Sequence, residues 1–290
     1  KFLNLLESQG RFPRVLDYQY RIPERRQSST AAALFNVDGT LPTANQSKRT
    51  ARTNTLTAIG YVVKSSIVAG SMAEQQAGVD LLAEELDDGV NEIRREMSKR
   101  LISNTEQVVE TTTENPALRG FIEGATTNVA AVTGGNLTEA VIQTEVNDIR
   151  TKTGSGKQLI MWVPASQVQI VDNIMIQRYP GQNSEASRTQ GSALRQLIEA
   201  DVVPDLIYQP RPGRPIPVVF DDQLPSGKGL LFAWQPGMFP RMPKFRLNGQ
   251  LGPWVLVRPN TTLYEFVLEF DMFTLEDPYE ETRSVWTGLS

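Results

Sequence analysis

The run Ala58-Ile-Gly-Tyr-Val-Val-Lys-Ser-Ser-Ile-Val68, then Gly70, then a charged helical repeat reaching about Ile102, constrains this chain more than any other stretch. β-Branched and aromatic residues crowd its first part, as a strand requires. In its second part Leu82, Leu86, Val90, Ile93, Met97 and Leu101 recur at steps of four and three, one apolar stripe of a helix. Glu84, Glu85, Asp87, Asp88, Glu92, Arg94, Arg95, Glu96, Lys99 and Arg100 fill the other faces. Acidic residues lead and basic residues trail, which suits the helix dipole. Ser71 with Glu74 three residues on reads as a capping box, so a helix is expected over 71–103, a rod on the order of 45 Å long. Gly78 and Gly89 weaken it by roughly 1 kcal/mol each relative to Ala. A strand feeding a long charged rod suggests scaffolding, a spine that other layers must cover.

Two absences narrow the chemistry. Among 290 residues there is no Cys and no His. Without Cys there are no disulfides, thiolate metal sites or cysteine nucleophiles. Without His the commonest general base, the Ser-His-Asp arrangement and the usual zinc and iron sites are gone, and so is any unperturbed side chain titrating near neutrality. A net charge of −4 gives no uniform basic field of the kind a dedicated DNA binder carries. No apolar run approaches a membrane span. Lys1-Phe-Leu-Asn-Leu-Leu6 is too short for a signal-peptide core, and the missing initiator Met suggests numbering inside the gene product or a trimmed N-terminus.

Along the chain, residues 1–14 read as a short mixed arm. Asp17 to Ile22 alternates like a strand with one buried face. Pro23 to Arg52 has no helical period and reads as a long exposed loop. With Thr53 to Val68 returning extended, the three make a protruding hairpin, which needs a partner to lie on. Thr138 caps a second helix to Thr151, with Val141, Ile142, Val146 and Ile149 as its stripe. Leu159 to Val163 is a fully apolar strand, followed by a helix over Ser166 to Gln177. Pro180 to Gln190 reads as a surface loop. Strands are expected at Val202–Tyr208, Ile216–Phe220, Gly229–Trp234 and Met242–Leu247, with interspersed prolines favouring edge strands. Trp254–Val257, Thr262–Phe273 and the stretch to Trp286–Leu289 complete the β-rich end.

This order of parts resembles the major capsid protein of a tailed double-stranded DNA bacteriophage, the Hong Kong 97 phage fold. Three local phrases carry the likeness, together with the Leu159–Val163 strand leading to Pro164-Ala-Ser-Gln167. They are Arg52-Thr-Asn-Thr-Leu-Thr-Ala-Ile-Gly60 before the strand, Glu84-Glu-Leu-Asp-Asp-Gly-Val-Asn-Glu-Ile93 on the spine, and Leu118-Arg-Gly-Phe-Ile-Glu123 after it. The resemblance implies an α+β fold with an N-terminal arm (1–23), an E-loop (24–69), a P-domain (70–153) holding the spine helix, an A-domain (154–252) and a return strand to the C-terminus (253–290). It implies a structural, non-enzymatic role without cofactors: self-assembly into pentamers and hexamers of an icosahedral phage head enclosing double-stranded DNA. The implied partners are further copies, a portal, decoration or scaffolding proteins and nonspecific DNA contacts, with no membrane. The implied place is the virion capsid, assembled in the host bacterial cytoplasm. The same fold serves encapsulin compartments holding cargo enzymes, which is the alternative reading; a carboxylate-dependent enzyme is a third.

Residue clusters invite sharper chemistry. Gly154-Ser-Gly-Lys157 lacks the spacing of a phosphate loop and reads as a surface turn. Glu84, Glu85, Asp87 and Asp88 splay around a helix and do not converge on one ion, and Asp221-Asp222 supplies only two ligands. Residues 1–52 carry nine basic against four acidic residues (net +5), and 71–104 carry eight acidic against four basic (net −4). Either these are separate solvated faces, or the loop of one copy lies on the acidic spine of the next; the basic arm facing DNA is a further option. The interface residues expected from this are Arg25, Arg26, Arg49, Arg52, Glu84, Glu85, Asp87, Asp88 and Glu92. In some members of the fold a loop Lys forms an isopeptide crosslink; Lys64 lies on the matching strand, but no partner Asn or promoting carboxylate is identifiable.

Overall fold

Within the segment expected as a short mixed arm, residues 2–8 form a helix. Phe2, Leu3, Leu5 and Leu6 fall on one side of helix α1 (Phe2–Ser8), and all four are buried. Two turns are marginal alone, so tertiary packing holds them. The Phe2 ring lies 5.6 Å from Phe121 and meets Trp162 and Phe232 edge-on at 5.9 and 6.3 Å. The structure, a computed structural model, describes residues 1–8, 14–15, 17, 19–25, 49–66, 80–106, 108, 117–125, 128–153, 158–178, 202, 204–210, 214–234, 244–245, 254–259, 263–275 and 282–290. Of the loop expected over 23–52, residues 26–48 lie outside these residues, as do the turn expected at 154–157 and the loop expected at 180–190.

Strand β1 (Arg14–Val15) is followed by β2 (Gln19–Arg25), which pairs antiparallel with β3 (Arg49–Thr55) from Gln19↔Thr55 to Arg25↔Arg49. A hairpin is expected here, but its strands take in 23–25 and 49–52, which the sequence reads as loop. Among the described residues it forms a two-stranded sheet of its own that leaves out 57–66 of the expected return strand. Only Leu56 separates it from β4 (Thr57–Ser66), which belongs to a different sheet. Helix α2 (Leu81–Ile102) then crosses the subunit. Its 22 residues span about 33 Å, shorter than the rod expected from 71. Asp80, not Ser71, caps it: the Asp80 carboxylate accepts from Ala83 N–H at 3.1 Å. Residues 71–79 lie outside the described residues.

After α2 come β5 (Val129–Ala131), α3 (Glu139–Thr153), β6 (Leu159–Val163), α4 (Ala165–Arg178), β7 (Leu206–Tyr208), β8 (Ile216–Phe220) and β9 (Lys228–Ala233). The chain finishes with β10 (Lys244–Phe245), β11 (Trp254–Pro259), β12 (Leu263–Met272) and β13 (Arg283–Thr287). Six strands make one mixed sheet in the order β5-β13-β9-β6-β8-β7, and β11-β12-β4 make a three-stranded antiparallel sheet. The all-apolar sequence of β6 follows from its place inside the larger sheet, with both faces covered. Ile160 and Trp162 face one core with Phe232, Met97 and Leu101; Leu159, Met161 and Val163 face a second with Ile142, Val146 and Ile149 of α3. Pro217 corrects the edge-strand expectation: it lies in β8, between β6 and β7. The parallel ladder with β6 begins only at Val218, so the missing N–H falls outside it.

The segment Leu118–Glu123 packs against α2 in the first of these cores. Leu118, Phe121 and Ile122 are buried, and Phe121 N–H donates to the Leu101 carbonyl at 2.8 Å. Gly120 passes so close to Ser103 that an added Cβ would sit 1.8 Å from its carbonyl oxygen. Backbone cannot yield as a side chain can, so Gly120→Ala is expected to lower stability by about 3 kcal/mol, the upper range of overpacking. Gly60→Ala meets nothing nearer than a carbonyl at 3.9 Å and should stay within about 1 kcal/mol of wild type. Denaturant titration of the two variants checks the contrast.

Candidate intersubunit interface

Helix α2 has two faces with different fates. Gly89, Ile93, Met97, Leu101 and Ile102 are buried, and Leu82, Leu86 and Val90 pack half-buried beside them. Gly89 allows the close approach: a Cβ there would stand 2.8 Å from Leu268 and 2.9 Å from Val63. On the outer side Glu84, Asp87, Asp88 and Glu92 are exposed, and Glu85 is half-buried. The ion pairs of the helix gather in its C-terminal half: Arg100 to Glu96 at 2.8 Å, Lys99 to Glu96 at 3.9 Å, Arg95 to Glu92 at 4.0 Å. Arg94 reaches across to Glu7 of α1 at 2.6 Å. Among the described residues no ion pair reaches Glu84, Asp87 or Asp88. The structure thus places the predicted carboxylates along one rod and, among the described residues, leaves Glu84, Asp87 and Asp88 of its leading half without an ion pair.

A groove of about 530 Å³ runs between this rod and β4, lined by Ala58, Ile59, Gly60, Tyr61, Glu92, Ile93, Glu96 and Arg100. β4 is the edge strand of its sheet, with β12 on its other side. Tyr61 is 43% and Val62 50% exposed, apolar surface beside a sheet edge and a negative helix face. Such a surface suits an extended basic segment, with carboxylates for the charge and apolar side chains for the stem.

The predicted basic partners sit on the hairpin. Register places Arg25 opposite Arg49, and Arg52 opposite Ile22. Arg21 is exposed and Arg52 half-buried; Arg26 lies outside the described residues. The base of the hairpin is held by residues that periodicity does not flag as a site. Asn54 is fully buried and bonds both backbone groups of Thr274, donating to the carbonyl at 2.8 Å and accepting from the N–H at 3.1 Å. It also donates to the Tyr20 hydroxyl at 3.2 Å, and the Tyr20 ring meets Phe273 edge-on at 5.3 Å.

The other polar clusters have structural roles. Asp221 is buried, accepting from the Trp162 indole N–H at 2.8 Å and from Gln223 N–H at 2.9 Å. Asp222 points outward, its carboxyl held below the usual range by the Gln223 hydrogen bond and then by Arg95, 3.8 Å away. Lys64 pairs with Glu265 at 3.3 Å on the adjacent strand of the same subunit. Among the described residues no group of three acidic side chains could hold a metal ion, and no helix is long and apolar enough to cross a membrane.

The family model for the SU10 major capsid protein matches residues 19–232. The chain belongs to that family. No curated protein sequence matches it. Among solved structures, the capsid of cyanophage A-1(L) superposes with a TM-score of 0.65 at 14% identity, covering 99% of this chain and 92% of that one. The encapsulin SrpI of Synechococcus elongatus gives 0.61 at 12%, covering 97% and 85%. Mycobacterium phage Adephagia gives 0.54 at 10%, covering 98% and 89%. These likenesses carry the fold, which is the α+β Hong Kong 97 type. The capsid family carries the role: a structural protein of the virion shell, working by association of copies and not by catalysis.

In a capsid protein the leading carboxylates of α2 should be dispensable for folding. Glu84 and Asp88 are four residues apart, and like charges at that spacing repel by a few tenths of a kcal/mol. Replacing Glu84, Asp87 and Asp88 by Gln, Asn and Asn should therefore leave subunit stability within about 0.5 kcal/mol of wild type. A drop beyond about 2 kcal/mol on denaturant titration would mean that these carboxylates hold the fold itself.

Proposed function

We propose that this capsid protein forms the pentamers and hexamers of an icosahedral phage head enclosing double-stranded DNA, and that the basic hairpin of each copy docks on the acidic spine of the next. The observation that supports the docking is the separation of charge inside one subunit. Arg25, Arg49 and Arg52 lie on the β2–β3 hairpin, and Glu84, Asp87 and Asp88 lie on α2 with no partner among the described residues. Attraction across copies then steers register, and the groove beside β4 supplies apolar contact. Association of this kind is heterologous and closes by rotation, so shell stability exceeds that of the lone subunit.

The outline implied by the fold follows. The E-loop (24–69) overlaps a neighbour; the P-domain (70–153) with the return strand (253–290) carries the spine; the A-domain (154–252) meets its copies at the capsomer centre. Portal, scaffolding or decoration proteins complete the head in the host bacterial cytoplasm. The likeness to an encapsulin makes a cargo compartment the second reading.

Reversing Arg49 and Arg52 to Glu should abolish closed particles in electron micrographs while circular dichroism stays native. Adding Asp88→Lys and Glu92→Lys should restore assembly in part. Normal particles from the double reversal would remove the charge-docking idea. Nuclease-resistant DNA in particles purified from an infected host supports the phage head; an enclosed protein with no DNA supports the compartment.

A further inference from the structure

The junction at the base of the hairpin is held by side chains where a ladder would be expected. Among the described residues β3 pairs with β2 and β4 with β12, and one non-strand residue, Leu56, lies between them. A single residue is a weak constraint on direction, and a two-stranded hairpin is marginal alone. Asn54 supplies what the ladder omits. Its carboxamide donates to the Thr274 carbonyl and accepts from the Thr274 N–H, so it pairs with that backbone as a strand neighbour would. Both residues are at most 2% exposed. Thr274 is fixed in turn, since its hydroxyl accepts from Arg119 N–H at 3.1 Å, in the segment packed under α2. Tyr20 ties β2, the other strand of the hairpin, to the same point through Asn54 and Phe273.

We propose that Asn54 and Thr274 are positioning residues for self-association: the amide latch between them fixes the direction in which the β2–β3 hairpin leaves the subunit, and so where it meets the next copy. This rests on the reading that the hairpin docks on a neighbour. The chemistry admits few substitutes. Ala offers neither group, Gln places both one methylene too far, and a carboxylate keeps the acceptor but turns a negative oxygen onto the Thr274 carbonyl.

The test uses the full chain, with Asn54→Ala and Asn54→Asp, hydrogen exchange at the Thr274 amide and at 50–55, and particle diameters from electron microscopy. In Asn54→Ala, exchange at these amides should speed up on the order of tenfold, the effect of losing about one buried hydrogen bond. Particles should become variable in diameter or remain open. Asn54→Asp should behave likewise near pH 7.5 and recover toward wild type near pH 5, because burial and the facing carbonyl raise the pKa of the introduced carboxyl, whose protonated form again donates. That recovery, against wild type at the same pH, separates a latch from general damage to the fold. It decides alone if Asn54→Ala does not fold.

Unchanged exchange in both variants overturns the latch. Fast exchange with particles of wild-type diameter also overturns it, provided the Arg49 and Arg52 reversal does disrupt assembly. If that reversal leaves particles normal too, the docking reading fails, and the positioning proposal with it.

Discussion

The buried face of α2 is the contact on which the other parts of this subunit depend. Met97 and Leu101 have no exposed surface, and they sit in one core with Phe2 of α1, Phe121 of the following segment, Phe232 of the six-stranded sheet and Leu268 of the three-stranded sheet. Four structures that have no ladder in common thus share one apolar surface. Gly89 sets how near the smaller sheet can come, and Gly120 sets how tightly the next segment turns back on the helix end. The helix acts as a spine because it is the surface that each layer covers.

Much of this was legible in the sequence because period reports burial. Leu159–Val163 has no polar residue since both of its faces are covered, and Ile142, Val146 and Ile149 recur because one side of α3 meets a core. The hairpin and the apolar face of α2 follow from the same logic. What escaped is set by tertiary contact. Helix α1 has two turns, too few for propensity to decide, and its four apolar residues become helical where a core receives them. Ser71 and Asp80 both carry cap chemistry, and only geometry shows that Asp80 accepts from Ala83. Asn54 stood inside a phrase noted for its likeness to capsid proteins, yet its partner lies 220 residues away. No local pattern connects it to Thr274.

The phrases that carried the family resemblance turn out to be joints. Arg52–Gly60 contains the latch and Leu56. Glu84–Ile93 contains Gly89 between acidic positions. Leu118–Glu123 contains Gly120 against Ser103. In each case a small or amide-bearing residue meets a distant piece of backbone or packed core that tolerates little variation. Apolar core positions, in contrast, accept exchanges that keep volume and pattern. A shell fold can therefore be shared at 10–14% identity with capsids and an encapsulin.

Folding and assembly also draw on different physics in this chain. The subunit is held by apolar burial, which is nondirectional and nearly independent of salt. The exposed carboxylates of α2 add little to that, since their mutual interaction is repulsive and water screens it. On the proposed docking, their concentration on one rod selects register more than it adds affinity when another copy approaches. In that proposed docking, electrostatics sorts correct contacts from incorrect ones while contacts are still weak enough to reverse. The Asn54 junction lies between the two regimes. Its hydrogen bonds are buried like those of the core, but they hold the base of the β2–β3 hairpin, the element proposed to meet the next copy.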